Sequence, residues 1–171
     1  MLALLIMFVD LCRMRTRPQD LPHSQFLMLI CIGCYFLLGL ATAVLEKGFG
    51  LAILAAGADT VLLVSLAYFG LHMRGYSARA IQTITALTGT GALFELVGWP
   101  MVIFLQQLEE GQSSSLSLVL FALVIWNIMV IGNILRYALD VPMWVGVSIA
   151  LLYIYVTLRV MAVLYATAII T

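Results

Sequence analysis

Charge is what this sequence has least of. Of 171 residues only 9% are charged while 64% are hydrophobic, against about 25% charged in a soluble domain. Most of the surface must therefore face something other than water. The formal net charge is 0, which removes the basic excess that nucleic acid or any other polyanion would need in a partner. Histidine is nearly absent: the 2 present, His23 and His72, both fall at the same predicted membrane boundary. They are not placed as a transmembrane pair of haem ligands. The 3 cysteines are Cys12, Cys31 and Cys34. Cys31 and Cys34 have CxxC spacing but sit in an apolar run, without the second ligand pair of a structural zinc site. They read as small helix-packing residues, as free cysteine commonly is. There is no HExxH, no phosphate loop, and no nucleophile with a plausible base. The expectation is a non-enzymatic chain with no cofactor and no metal.

What the sequence does have is apolar runs. Five of them are long enough to cross a membrane, at about 24–45, 49–71, 80–106, 116–139 and 143–168, since a spanning helix needs roughly 20 apolar residues. At this length there is room for one integral membrane domain and no separate soluble module. Ahead of these runs, Met1 to Val9 is apolar but too short to span. Its cations Arg13, Arg15 and Arg17 follow it, whereas a signal peptide has them in front. Residues 1–12 are therefore expected to form a retained interfacial helix lying on the membrane. The three arginines are candidate contacts to anionic lipid at the membrane surface.

The fold class predicted is an all-α bundle of five transmembrane helices with short loops. With the N-terminus cytoplasmic, Arg13, Arg15, Arg17, Arg74, Arg79 and Arg136 all lie at cytoplasmic ends, while Lys47, Glu109 and Glu110 lie outside. The positive-inside rule then chooses a cytoplasmic N-terminus and a periplasmic C-terminus. Trp99, Tyr76, Trp144 and Tyr165 fall near span ends, where aromatic rings prefer to sit.

Three ionisable residues lie inside spans: Asp59, Glu95 and Arg159. Each is costly in lipid and calls for a partner, a proton or a function. At 100° per residue, Asp59 shares a face with Ala52, Ala55 and Ala56, and Glu95 with Thr88, Gly91 and Gly98. Arg159 shares one with Ser148, Tyr155, Ala162 and Ala166. Small residues permit close helix approach, so all three faces are expected to point into the bundle. Depth favours a Glu95–Arg159 ion pair that pins helices together and leaves Asp59 over. The rival reading takes the same residues as a proton or cation site, because two carboxylates outnumber one cation. Pro100 is expected to kink the third span just beyond Glu95. Asn127 and Asn133 are expected to make polar contacts between helices.

Two segments carry a resemblance. Arg17-Pro18-Gln19-Asp20-Leu21-Pro22-x-Ser24 and Trp126-Asn127-x5-Asn133-Ile134-Leu135-Arg136-Tyr137-Ala138-Leu139 resemble small bacterial inner-membrane proteins of the Yip1-like group. The resemblance implies five spans with a cytoplasmic N-terminus. Eukaryotic relatives are linked to vesicle trafficking and small GTPases. Their Asp-Leu-Tyr-Gly-Pro-type motif is missing here, so GTPase binding does not carry over. The main expectation is an accessory or scaffold subunit of the bacterial inner membrane, whose partners are the lipid bilayer and other membrane subunits or a second copy of itself. The alternative is a small proton- or cation-coupled transporter or channel using Asp59, Glu95 and Arg159.

Overall fold

Six helices account for nearly all of the described chain. The structure is a computed structural model that describes the backbone over 2–46, 48–107 and 114–170, and the side chains over 4–45, 48–107 and 116–166. A short helix α1 (Leu2–Cys12) precedes five long ones: α2 (Gln25–Glu46), α3 (Phe49–Met73), α4 (Ala80–Gln107), α5 (Ser114–Leu139) and α6 (Met143–Ile170). All five are long and apolar enough to cross a membrane. Lys47, Glu109 and Glu110, which define the outer side of the charge balance, lie outside the described side chains.

Local chemistry sets the helix ends. Ser24 caps α2 by accepting the Leu27 N–H at 3.3 Å on its hydroxyl, which satisfies one of the orphan donors of a first turn. Both α1 and α5 end on a left-handed residue, Met14 (φ 57°) and Asp140 (φ 54°). Behind each, a backbone N–H reaches back to close the last turn: Arg15 to the Asp10 carbonyl and Val141 to the Arg136 carbonyl. This is the Schellman arrangement. Pro142 then prevents α5 from continuing. Pro100 lies inside an uninterrupted α4.

α4 is the central helix over its first half. Every residue from Thr83 to Ala92 is buried, enclosed by α2, α3, α5 and α1. Burying four threonines there is tolerated because each hydroxyl donates to the carbonyl one turn back. Thr83 reaches Arg79 (2.9 Å), Thr85 reaches Ile81 (2.7 Å), Thr88 reaches Ile84 (2.8 Å) and Thr90 reaches Ala86 (2.7 Å). The polar groups are thus consumed within the helix. Beyond Glu95 the helix emerges, with Leu96, Val97 and Phe104 exposed.

α1 is the segment expected to lie on the membrane surface. It packs along the flank of the bundle against α4 and α5, burying Phe8 and Leu11. The Phe8 ring occupies the space a side chain at Gly89 would need. The Trp126 indole N–H donates to the Cys12 carbonyl at 2.9 Å. Trp126 lies thirteen residues before Leu139, about 20 Å along α5 at ~1.5 Å per residue. The end of α1 therefore reaches the middle of the long helices. α1 has one charge, Asp10.

Candidate functional site

Two carboxylates meet hydroxyl groups in the interior of the bundle. Asp59 projects from α3, on the same helix face as buried Ala52, Ala55 and Ala56. Its Oδ2 accepts the Tyr35 hydroxyl from α2 at 2.5 Å, and its Oδ1 accepts the Tyr153 hydroxyl from α6 at 2.6 Å. One side chain thereby ties three helices. Each oxygen of the carboxyl group thus has one hydroxyl partner.

Glu95 projects from α4 toward α2. Its Oε2 lies 2.9 Å from Thr42 Oγ1, and the same hydroxyl lies 3.1 Å from the Leu38 carbonyl. A threonine hydroxyl has one hydrogen and two acceptor lone pairs. With Glu95 ionised, Thr42 donates to the carboxylate. With Glu95 protonated, the acid donates to Thr42, which donates to Leu38. The geometry accommodates either state of Glu95 without moving a heavy atom.

Both carboxylates line partly open cavities. A cavity of about 270 Å³ is lined by Tyr35, Asp59, Glu95, Asn127, Tyr153 and Thr157 among others. A second, of about 210 Å³, brings Asp59 and Glu95 together with Thr42. A third, also about 210 Å³, joins Glu95, Thr42 and Asn127. Glu95 lines all three and Asp59 two. No arginine or lysine is among the described residues lining any of them. The wall toward the Arg79 end is apolar and tightly packed, with Leu63, Leu87 and Ile131 buried. The wall toward the other end includes Gly39, Ala43, Ala55 and Ala56.

The expected Glu95–Arg159 ion pair is not formed. Arg159 is exposed, and so are Ser148, Tyr155, Ala162 and Ala166, the face predicted to turn inward. α6 instead turns Gly146, Ala150 and Tyr153 to the interior. The cause is a close crossing of α5 and α6 in which Gly146 lies against the backbone of Gly132, a contact that larger residues would block. Asn127 and Asn133 each keep one polar atom without a partner. Asn127 Oδ1 and Asn133 Nδ2 are both buried without a hydrogen-bond partner, and Asn127 faces the carboxylate cavities. Arg13, Arg15 and Arg17 are exposed. Arg17 lies over the Tyr137 ring at 5.2 Å, and Arg13 borders an apolar cavity beside Trp126.

Sequence reasoning found Asp59 and Glu95 but missed Tyr35, Tyr153 and Thr42. A signal was there to be read. Tyrosines normally anchor at the membrane interfaces, yet Tyr35 and Tyr153 fall ten residues inside α2 and α6. Among the described residues no group of three or more His, Cys, Asp or Glu side chains is arranged to hold a metal ion. Comparison with known proteins gives no matching family model, no curated relative and no solved structure.

Proposed function

We propose that this chain is a small carrier of the bacterial inner membrane that binds a proton or a hard monovalent cation between Asp59 and Glu95, with its N-terminus cytoplasmic. The observation that carries the reading is the pair of carboxylates on shared cavities with no cationic side chain among the described lining. Buried charge is expensive without a compensating partner, and the carboxylate and hydroxyl oxygens in the otherwise mostly apolar lining are what a proton or a hard cation takes. Asp59 is the positioned group, held by two tyrosine hydroxyls. Glu95 is the exchanging group, because Thr42 serves both of its protonation states. Asn127 Oδ1 adds a neutral oxygen to the same space. An accessory or scaffold subunit has no need of such a chamber, and its helices gain stability from a dry, filled interior.

The test is flux in proteoliposomes. Purified protein is reconstituted with a pH-sensitive dye inside, and gradients of pH and of sodium are imposed in turn. The wild type is expected to collapse at least one gradient faster than protein-free vesicles, and Glu95→Gln is expected to return the rate to the protein-free level. Wild-type vesicles no leakier than protein-free ones, or an unchanged rate in Glu95→Gln, would remove the carrier reading in favour of the scaffold.

A further inference from the structure

At the end of the bundle away from the carboxylates, four charged groups surround an open space without pairing. A cavity of about 320 Å³ is lined by Arg17, Gln19, Asp20, Arg79, Tyr137 and Asp140. It lies where the turn Pro18–Asp20 meets the start of α4 and the end of α5. The arginines are held by aromatic faces. Arg17 and Arg136 lie over the Tyr137 ring at 5.2 and 5.0 Å, and Arg79 over Tyr76 at 4.5 Å. Stacking occupies the face of a guanidinium and leaves its N–H edge available. The acceptor side is open as well. Asp20 accepts the Arg17 backbone N–H through Oδ2 at 2.9 Å. Gln19 donates to the Tyr137 carbonyl at 2.8 Å, while its Oε1 is buried with no donor.

We infer that this cavity holds the headgroup of a phosphatidylethanolamine molecule, its phosphate between Arg17 and Arg79 and its ammonium between Asp20 and Asp140. Equal numbers of cations and carboxylates suit a zwitterion and disfavour a purely anionic headgroup. Arginine N–H edges match phosphate oxygens, and an ammonium brings three donors to the carboxylates of Asp20 and Asp140. A second cavity supplies the place for an acyl chain. It too measures about 320 Å³ and is lined by Val9, Leu93, Phe94, Leu123 and Trp126 among others, between α1, α4 and α5. From Tyr137 to Trp126 is eleven residues of α5, about 16 Å at ~1.5 Å per residue. That is close to half of the ~30 Å hydrocarbon thickness of a bilayer. The segment from Arg13 to Arg17 borders the apolar cavity at one end and the polar one at the other. The site is independent of the carrier reading, since neither carboxylate of the chamber takes part.

Thermal unfolding of the full chain in detergent tests this, with added phosphatidylethanolamine, phosphatidylcholine or phosphatidylglycerol of identical acyl chains, and with soluble phosphoethanolamine alone. The expected result is the largest rise in Tm with phosphatidylethanolamine, a smaller one when the ammonium is methylated or absent, and none with phosphoethanolamine. Arg79→Gln and Asp140→Asn are each expected to abolish the advantage of phosphatidylethanolamine. Asn tolerates the left-handed backbone of Asp140, so that variant remains informative if Arg79→Gln fails to fold. An equal or greater rise with either other lipid overturns the headgroup assignment, as does an advantage that survives Asp140→Asn. A rise with phosphoethanolamine alone overturns the lipid and points to a soluble zwitterion.

Discussion

Gly146→Ala is expected to destabilise the protein by about 2–3 kcal/mol, the upper end of what overpacking costs. A Cβ at this position would lie 2.3 Å from the Gly132 carbonyl oxygen and 3.1 Å from the Arg136 nitrogen. Both are backbone atoms of α5 and cannot rotate away. The contact is reciprocal: a Cβ on Gly132 would meet the Val147 backbone at 3.0 Å. One methyl group must therefore push α5 and α6 apart along this crossing. α6 also carries Tyr153, so the separation withdraws a donor from Asp59, seven residues further on. Reversible unfolding in detergent measures the loss. Gly33→Ala is the control, because nothing lies within 4 Å of its Cβ position. Removing a helix glycine there is expected to be neutral or to stabilise by up to about 1 kcal/mol.

The second large effect concerns the tyrosine pair. Tyr35→Phe and Tyr153→Phe each remove a donor to a carboxylate, and each is expected to cost about 1.5–3 kcal/mol, the range for hydrogen bonds to charged groups. In an Asp59→Asn background the acceptor is neutral, and Tyr35→Phe is expected to cost only about 0.5–1.5 kcal/mol. The double-mutant cycle isolates the difference. A coupling of about 1 kcal/mol identifies Asp59 as the ionised partner that both hydroxyls serve. Equal costs in the two backgrounds would mean that the hydroxyls serve a neutral group.

Much of the architecture was legible because length and hydropathy alone define a membrane helix, and the five long helices begin within two residues of their predicted starts. Asp59 and Glu95 were legible because ionisable residues inside an apolar run have few innocent explanations, and small neighbours marked their faces correctly. The same rule failed at Arg159 because α6 has small residues on two faces. Ser148, Ala162 and Ala166 compete with Gly146 and Ala150, and only the Gly146–Gly132 approach decides between them. That contact joins two helices and is invisible to the periodicity of either one. Once α6 is turned, Arg159 leaves the site and Tyr153 enters it. This single rotation replaces an expected ion pair by a carboxylate bound to hydroxyls. The packing of α1 was not legible for a related reason: the Gly89 recess that receives Phe8 lies on another helix eighty residues away.

The central claim is that Glu95 is the proton-exchanging group of the chamber, and infrared difference spectroscopy of the carboxyl C=O stretch tests it most directly. Reconstituted protein would be stepped between acid and alkaline pH, with Glu95→Gln and Asp59→Asn alongside, and with Asp20→Asn as a control outside the chamber. The account predicts a protonated-carboxyl band in the wild type that is gained at the acid step, shifts in Asp59→Asn, stays in Asp20→Asn and vanishes in Glu95→Gln. A band that persists unchanged in Glu95→Gln, or the absence of any such band from the wild type, would contradict it.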